Sequence, residues 1–238
     1  MDGMTDIHCH ILPGVDDGAR NMEETVGLLR MEQEQGVSRL IVTPHFRLGY
    51  FTTPRVQVRE VFDDVRARAA ELGLELYLGC EFHRQNEMAG WLRQESAYAM
   101  ADTCYVLTEF SSRDSAGKIR QTVTELLLGG YRPVIAHAER YAAMRDRRLV
   151  HFLIESGAYI QVNAGAVLGY EGLRSRLFCR KLLDDDLVHL IGSDAHDCKV
   201  RIPRMQQCAQ WLEKRYGPEK AKRLLVDHPA RLLNNEYI

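Results

Sequence analysis

The sequence predicts an α/β fold built on a parallel sheet, and three observations carry the prediction. Seven short β-like runs recur along the chain, segments of helical apolar spacing separate them, and several of those segments end in a glycine that leads straight into the next run. The strands are expected at Thr5–Ile7, Leu40–Thr43, Glu75–Leu78, Tyr105–Thr108, Pro133–Ala136, Tyr159–Val162 and Val188–Ile191. Between them, Met22, Val26 and Leu29, then Val61, Val65 and Ala69, then Ile119, Val123, Leu126 and Leu127 recur at the three- and four-residue spacing of one helix face. The stretches "EQGVSRLIV", "ELGLELYLG", "GGYRPVIAH" and "ESGAYIQVN" put glycine where a helix end needs a left-handed residue. Further helical turns are expected at Met205–Tyr216, Glu219–Leu225 and Ala230–Leu233. Neither a Rossmann glycine fingerprint nor a Walker loop is present, so a closed barrel and an open doubly wound sheet both remain open at this level.

Composition narrows the function classes. With 238 residues, 45% of them hydrophobic and 27% charged, the chain can close one substantial core, and a single domain over residues 1–238 is expected. Apolar runs such as Leu187 to Gly192 are too short to cross a bilayer, and no basic-then-apolar leader opens the chain. A cytoplasmic address without membrane insertion is therefore expected. Cys9, Cys80, Cys104, Cys179, Cys198 and Cys208 lack any C-x-x-C spacing, which reads as reduced, mostly buried thiols. A net charge of −2 gives no global reason to bind nucleic acid, and the basic run Arg145 to Arg148 reads as a solvated helix start.

The chemistry lies in where metal-type side chains fall along the strands. His8 and His10 follow the first strand, His45 the second, Glu81 the third, Glu109 the fourth, His137 and Arg140 the fifth, and Asp194 and His196 the last. All are at C-terminal strand ends, which converge on one face in a parallel barrel. In extended chain His8 and His10 point to one side and Cys9 to the other; the same alternation turns Cys80 from Glu81 and Ala195 from Asp194 and His196. One of the adjacent carboxylates Asp16 and Asp17 joins the set, and the spacing leaves the two equal. Nine candidate ligands exceed one ion's needs, so two or three ions with bridging carboxylates are expected. Imidazoles and carboxylates without thiolates suit Mn, Fe or Zn. Three divalent ions against four carboxylates leave the site positive, with Arg140 and Arg201 adding to the charge, so a phosphorylated substrate is implied. His83 could face the same mouth, whereas His151, His189 and His228 read as structural.

Cys198 and Arg204 match the C-x5-R spacing of cysteine-dependent phosphatases. The stretch "CKVRIPR" offers valine, isoleucine and a proline without an N–H where a phosphate cradle needs converging backbone donors, so the match is set aside.

Together, "DIHCHILPGVDDGA", "TPHF", "GCEF", "LTEF", "IAHAERY" and "SDAH" resemble the polymerase and histidinol phosphatase (PHP) family, in particular its bacterial protein-tyrosine phosphatases of capsule and exopolysaccharide synthesis. The similarity runs over essentially the whole chain. It implies a distorted TIM-like (β/α)7 barrel, the PHP fold, and a trinuclear centre often best served by manganese. Carried over by motif, His8, His10, Glu81 and Asp194 would hold one ion, Glu81, Glu109 and His137 a second, and Asp17, His45 and His196 a third; the resemblance thus prefers Asp17 to Asp16. Arg140 and Arg201 match the family's phosphate-binding arginines. Phe46 stands where relatives often carry His or Arg, and Ala138 replaces a common proline. The implied activity is metal-dependent hydrolysis of phosphotyrosine, on the tyrosine-rich tail of a bacterial tyrosine kinase. Histidinol-phosphate hydrolysis is the nearest alternative; a catalytically silent binding module and a nuclease are more distant ones.

Overall fold

The structure, a computed structural model, describes residue 1 and residues 3–238. Nine strands are present among the described residues: β1 (Met4–Cys9), β2 (Val37–Val42), β3 (His45–Phe46), β4 (Glu75–Leu78), β5 (Glu81–His83), β6 (Tyr105–Glu109), β7 (Arg132–Ile135), β8 (Tyr159–Asn163) and β9 (Leu190–Gly192). They form two parallel sheets, ordered β1-β2-β4 and β3-β5-β6-β7-β8-β9. The break between the sheets is small. Only Thr43 and Pro44 separate β2 from β3, only Gly79 and Cys80 separate β4 from β5, and the Gly79 and Glu81 N–H groups donate across these gaps to the Val42 and Pro44 carbonyls (2.9 and 3.0 Å).

The sheet curls until its first and last strands meet. Past the end of β9, Asp194 N–H donates to the His8 carbonyl (2.8 Å) and His10 N–H to the Ala195 carbonyl (2.8 Å), and Cys9 bridges Ala195 in parallel sense. Alternation divides the strand residues between two apolar clusters. Leu40, Val42, Val106, Ile135, Ile160 and Ile191 pack with the helices, whereas Ile41, Leu107, Val134 and Leu190 form a second cluster with Ile7 and Tyr105.

The helices start and stop for local reasons. Asn21 caps the helix Met22–Glu34 by accepting from Glu24 N–H, and Ser115 does the same for Ala116–Leu128. The predicted glycine stops hold at Gly36, Gly73, Gly130 and Gly157, all with φ between 71° and 106°. Asp146 caps Arg147–Glu155, so Arg147 and Arg148 do open a helix on its solvated side. The last helices run as Met205–Tyr216, Pro218–Lys222 and His228–Leu233, with one π-helical stretch at Arg223–Asp227. No helix among the described residues is long and apolar enough to cross a membrane.

Candidate metal centre

β1 enters the site with Ile7 and Cys9 packed in the apolar clusters, and a register irregularity between Asp6 and Cys9 accompanies the two histidines toward the strand ends. His8 and His10 are fully buried, with their Nε2 atoms 3.2 Å apart. The other ring nitrogens are taken: His8 Nδ1–H donates to Gln161 Oε1 (3.3 Å) and His10 Nδ1–H to Asp16 Oδ2 (2.7 Å). In the neutral form that ligates a metal, both rings would then present Nε2 lone pairs to each other, an arrangement that repels unless a cation lies between them. Two nitrogens on one tetrahedral ion stand about 3.3 Å apart, the spacing found here.

Glu81, at the start of β5, is the hub. Its Oε2 lies 3.3, 3.2 and 3.1 Å from His8 Nε2, His10 Nε2 and His45 Nδ1, and its Oε1 lies 2.5 Å from His137 Nε2. Three groups of potential ligand atoms converge, each within 4.8 Å: His8, His10, Glu81 and Asp194; His10, Asp17, His45 and His196; and His45, Glu81 and Glu109. His10, His45 and Glu81 each belong to two groups. His137, expected with Glu81 and Glu109, lies against Glu81 Oε1, while His45 is grouped with Glu109 and the other oxygen of Glu81. Glu81 Oε2 and His196 Nε2 are buried without hydrogen-bond partners, as ligand atoms aimed at a cation would be.

Asp16 and Asp17 divide the work. Asp17 lies 3.4 Å from His45 Nε2 and 3.5 Å from His196 Nε2, half-exposed at the rim. Asp16, with its side chain fully covered, accepts from His10 Nδ1–H, from His45 N–H and from Gly18 N–H, and so orients the ring that Asp17 only neighbours. The glycine of "VDDG" is required here, since a Cβ on Gly18 would fall 2.1 Å from the His10 carbonyl oxygen. Gly192 is similarly constrained, its Cβ position lying 2.7 Å from that of His8. Backbone strain sits in the same place: His137 (φ 29°) and Asp194 (φ 55°) both adopt left-handed conformations without being glycine.

Burial alone would neutralise these groups, and mutual attraction opposes it. Desolvation works against the Asp194 carboxylate, but His8, Arg140 and Arg201 outweigh it and hold its pKa well below the ordinary 3.8. Glu81 is likewise held far down despite burial, by His8 and His137. Burial disfavours the His10 cation, yet Asp16 and Glu81 lift its pKa to about 10. Burial and the neighbouring His10 lower His196 to about 4. Arg140 and Arg201 reach Asp194 from the solvent side at 2.6 and 2.9 Å, and both line a cleft of about 260 Å³ with Asp194, Tyr170 and Glu171.

Other polar residues complete the shell. Gln161 and Asn163 alternate along β8: Gln161 Oε1 accepts from His8 Nδ1–H and His137 N–H, and Asn163 Nδ2 donates to Asp194 Oδ2 (2.9 Å). The polar alternation in "YIQVN" was the available signal. Tyr141 OH meets His137 Nδ1 (3.0 Å), and His83 Nδ1–H donates to Glu109 Oε2 (2.7 Å), which places His83 beside the centre. Phe46 packs against Phe82 and Trp91. Cys198 is half-buried, its Sγ–H directed at the Glu24 carbonyl and its thiol pKa raised by burial, and Arg204 stacks on Tyr170, so the C-x5-R spacing forms no thiolate cradle. All six cysteines are free.

Comparison with known proteins places this geometry in a lineage. The solved structures described as YwqE from Bacillus subtilis and CpsB from Streptococcus pneumoniae, unique metal-dependent tyrosine phosphatases, superpose with a TM-score of 0.92 at 34% identity, covering 99% of this chain and 96% of theirs. The tyrosine-protein phosphatase CpsB of Streptococcus pneumoniae is 36% identical over 99% of this chain and 100% of its own length; YwqE of Bacillus subtilis (strain 168) is 34% identical over 99% and 93%. The profile of the capsular polysaccharide synthesis proteins, CpsB/CapC, matches residues 4–234, and the chain belongs to that family.

Proposed function

We propose that this protein is a metal-dependent protein-tyrosine phosphatase acting in capsule or exopolysaccharide synthesis. Glu81 Oε2, shared among three imidazoles and left without a hydrogen-bond donor, carries the reading, because a buried carboxylate so placed is suited to bridging cations. In this reading the curled sheet is a distorted TIM-like (β/α)7 barrel of the PHP type, formed as a single cytoplasmic domain. His8, His10, Asp17, His45, Glu81, Glu109, His137, Asp194 and His196 would hold the ions, three per chain, with manganese preferred to iron or zinc. The converging ligand groups and the close likeness to metal-dependent phosphatases support the assignment.

Bound divalent ions would supply a nucleophile at neutral pH by lowering the pKa of water toward ~7 and would withdraw charge from phosphoryl oxygens. The chain's own residues do the rest. Arg140 and Arg201, tied to Asp194 but open to the cleft, are placed to take the phosphoryl oxygens in charge-assisted hydrogen bonds. Asp16 and Gln161 fix the His10 and His8 rings with Nε2 facing the Glu81 carboxylate, the orientation in which they would hold a metal. The departing tyrosine phenolate, of ordinary pKa about 10, needs less protonation than an alkoxide would. The substrate is a phosphotyrosine protein, with the tyrosine-rich tail of a bacterial tyrosine kinase as the partner. The test compares a phosphotyrosine peptide with histidinol phosphate after chelation and manganese return. Metal-dependent turnover favouring the peptide supports the proposal, and a large preference for histidinol phosphate replaces it with the small-molecule reading.

A further inference from the structure

Arg140 faces two cavities. One is the cleft of about 260 Å³ that holds Asp194 and Arg201; the other is an adjoining groove of about 790 Å³. The groove lining contains five cationic side chains, Arg140, Arg145, Arg147, Arg174 and Lys181, and no carboxylate. That concentration stands out in a chain whose net charge is −2. Arg147 is paired with Asp185 at 2.6 Å, but Arg174 and Lys181 are exposed and form no salt bridge among the described residues, and Arg145 reaches only the Arg174 and Glu139 carbonyls. The groove also has an apolar floor. Arg174, Leu177, Phe178, Lys181 and Leu182 recur along one face of the helix Leu173–Asp184, and Arg145 lies 4.4 Å over the Phe178 ring.

We propose that this groove docks a second phosphotyrosine of the same substrate chain, next to the one in the catalytic cleft. The inference rests on the phosphatase reading above. Four of the five cations are arginines, whose planar forks match phosphate oxygens, and a doubly charged phosphate concentrates the anion that unpaired guanidiniums lack. Leu177, 57% exposed, offers apolar surface for the aromatic ring. Because Arg140 lines both cavities, the two sites adjoin and one short extended peptide spans them. A chain carrying clustered phosphotyrosines is thus held better than one carrying a single phosphate, through the added valency of the second contact.

The test uses the metal-loaded enzyme and fluorescent peptides bearing the non-hydrolysable phosphonate analogue of phosphotyrosine at one position or at two neighbouring positions. The doubly substituted peptide is expected to bind about tenfold more tightly. Arg174→Glu with Lys181→Glu is expected to abolish that advantage while leaving hydrolysis of p-nitrophenyl phosphate unchanged, and Arg66→Glu with Arg68→Glu, an equal change of charge outside the groove, is expected to retain it. Equal affinity for the two peptides, an advantage that survives the groove variant, or the same gain when glutamate replaces the second analogue would each overturn the proposal. Inactivity of the wild type toward aryl phosphates would refute the phosphatase reading instead, while the affinities of the two fluorescent peptides would still decide the groove.

Discussion

Two pairs of buried carboxylates meet β1, Glu81 and Asp194 at the His8 ring and Asp6 with Glu32 beside the His8 backbone, and their pKa values are displaced in opposite directions. Glu81 and Asp194, at the strand ends, are held ionised against burial by imidazoles and guanidiniums. Asp6 and Glu32, one step deeper, are equally buried, but no cation faces them. Desolvation raises both pKa values, and the Asp6 charge pushes Glu32 further up, well above 4.5. Asp6 accepts from Ser193 N–H (2.8 Å), Ser193 O–H (2.5 Å) and His8 N–H (3.3 Å), whereas the Glu32 oxygens have no such donors, so the proton of the pair resides on Glu32. Burial alone, then, does not make a metal site. What separates the clusters is the supply of positive charge and of free imidazole lone pairs.

The comparison is broken most severely by removing the anion at the upper cluster. Asp194→Asn takes a charge from the ion-binding group and releases Arg140 and Arg201 together, so turnover of a phosphotyrosine peptide is expected to fall by on the order of 10³-fold or more. Metal content measured on the purified variant should fall with it. Full metal content with full activity would move the chemistry away from this cluster.

A smaller loss is expected where the carboxylate orients a ligand without being one. Asp16→Asn keeps a hydrogen-bond acceptor for His10 Nδ1–H but removes the charge that raises the basicity of the ring, so metal affinity is expected to drop about 10–100-fold. Titration with manganese, read by recovery of activity, checks this. Activity at saturating metal should recover largely, which distinguishes Asp16 from Asp194.

The two clusters also differ in how legible they were. The strands could be read because their β-branched runs are short and bounded by helix-stopping glycines, and the observed strands overlap all seven expected positions. β3 and β5 could not, being two and three residues long and interrupted by Pro44 and by Gly79–Cys80, although they carry His45 and Glu81. Residues bearing imidazole or carboxylate at strand ends attract notice by type. Their orienting partners do not: Gln161 and Asn163 look like ordinary polar strand residues, and Asp16 differs from Asp17 only in which way a tight turn faces it. Glu32 lies in "MEQEQG", a stretch that reads as a solvated helix end, and nothing local separates it from the exposed Glu34. Its surroundings are set by Asp6 of β1 and by Ser193, just past β9, which meet it only in the fold.

The lower cluster can be tested without touching the site. Because the folded-state pKa of Glu32 is raised above its unfolded value, the folded protein binds that proton more tightly than the unfolded chain does. Its stabilising effect is complete below the ordinary pKa of 4.5 and is lost as the pH climbs through the folded value. Glu32→Gln stays neutral throughout and nearly preserves the side chain's shape. The variant should therefore match the wild type in thermal stability near pH 4.5 and exceed it increasingly as pH rises, by about 2–6 °C in midpoint once the wild-type pair is asked to ionise. Scans across that range under equal manganese give the comparison directly. A stability difference independent of pH would mean that Glu32 is already ionised in the folded protein, and the contrast between the two clusters would then lie in packing and not in charge.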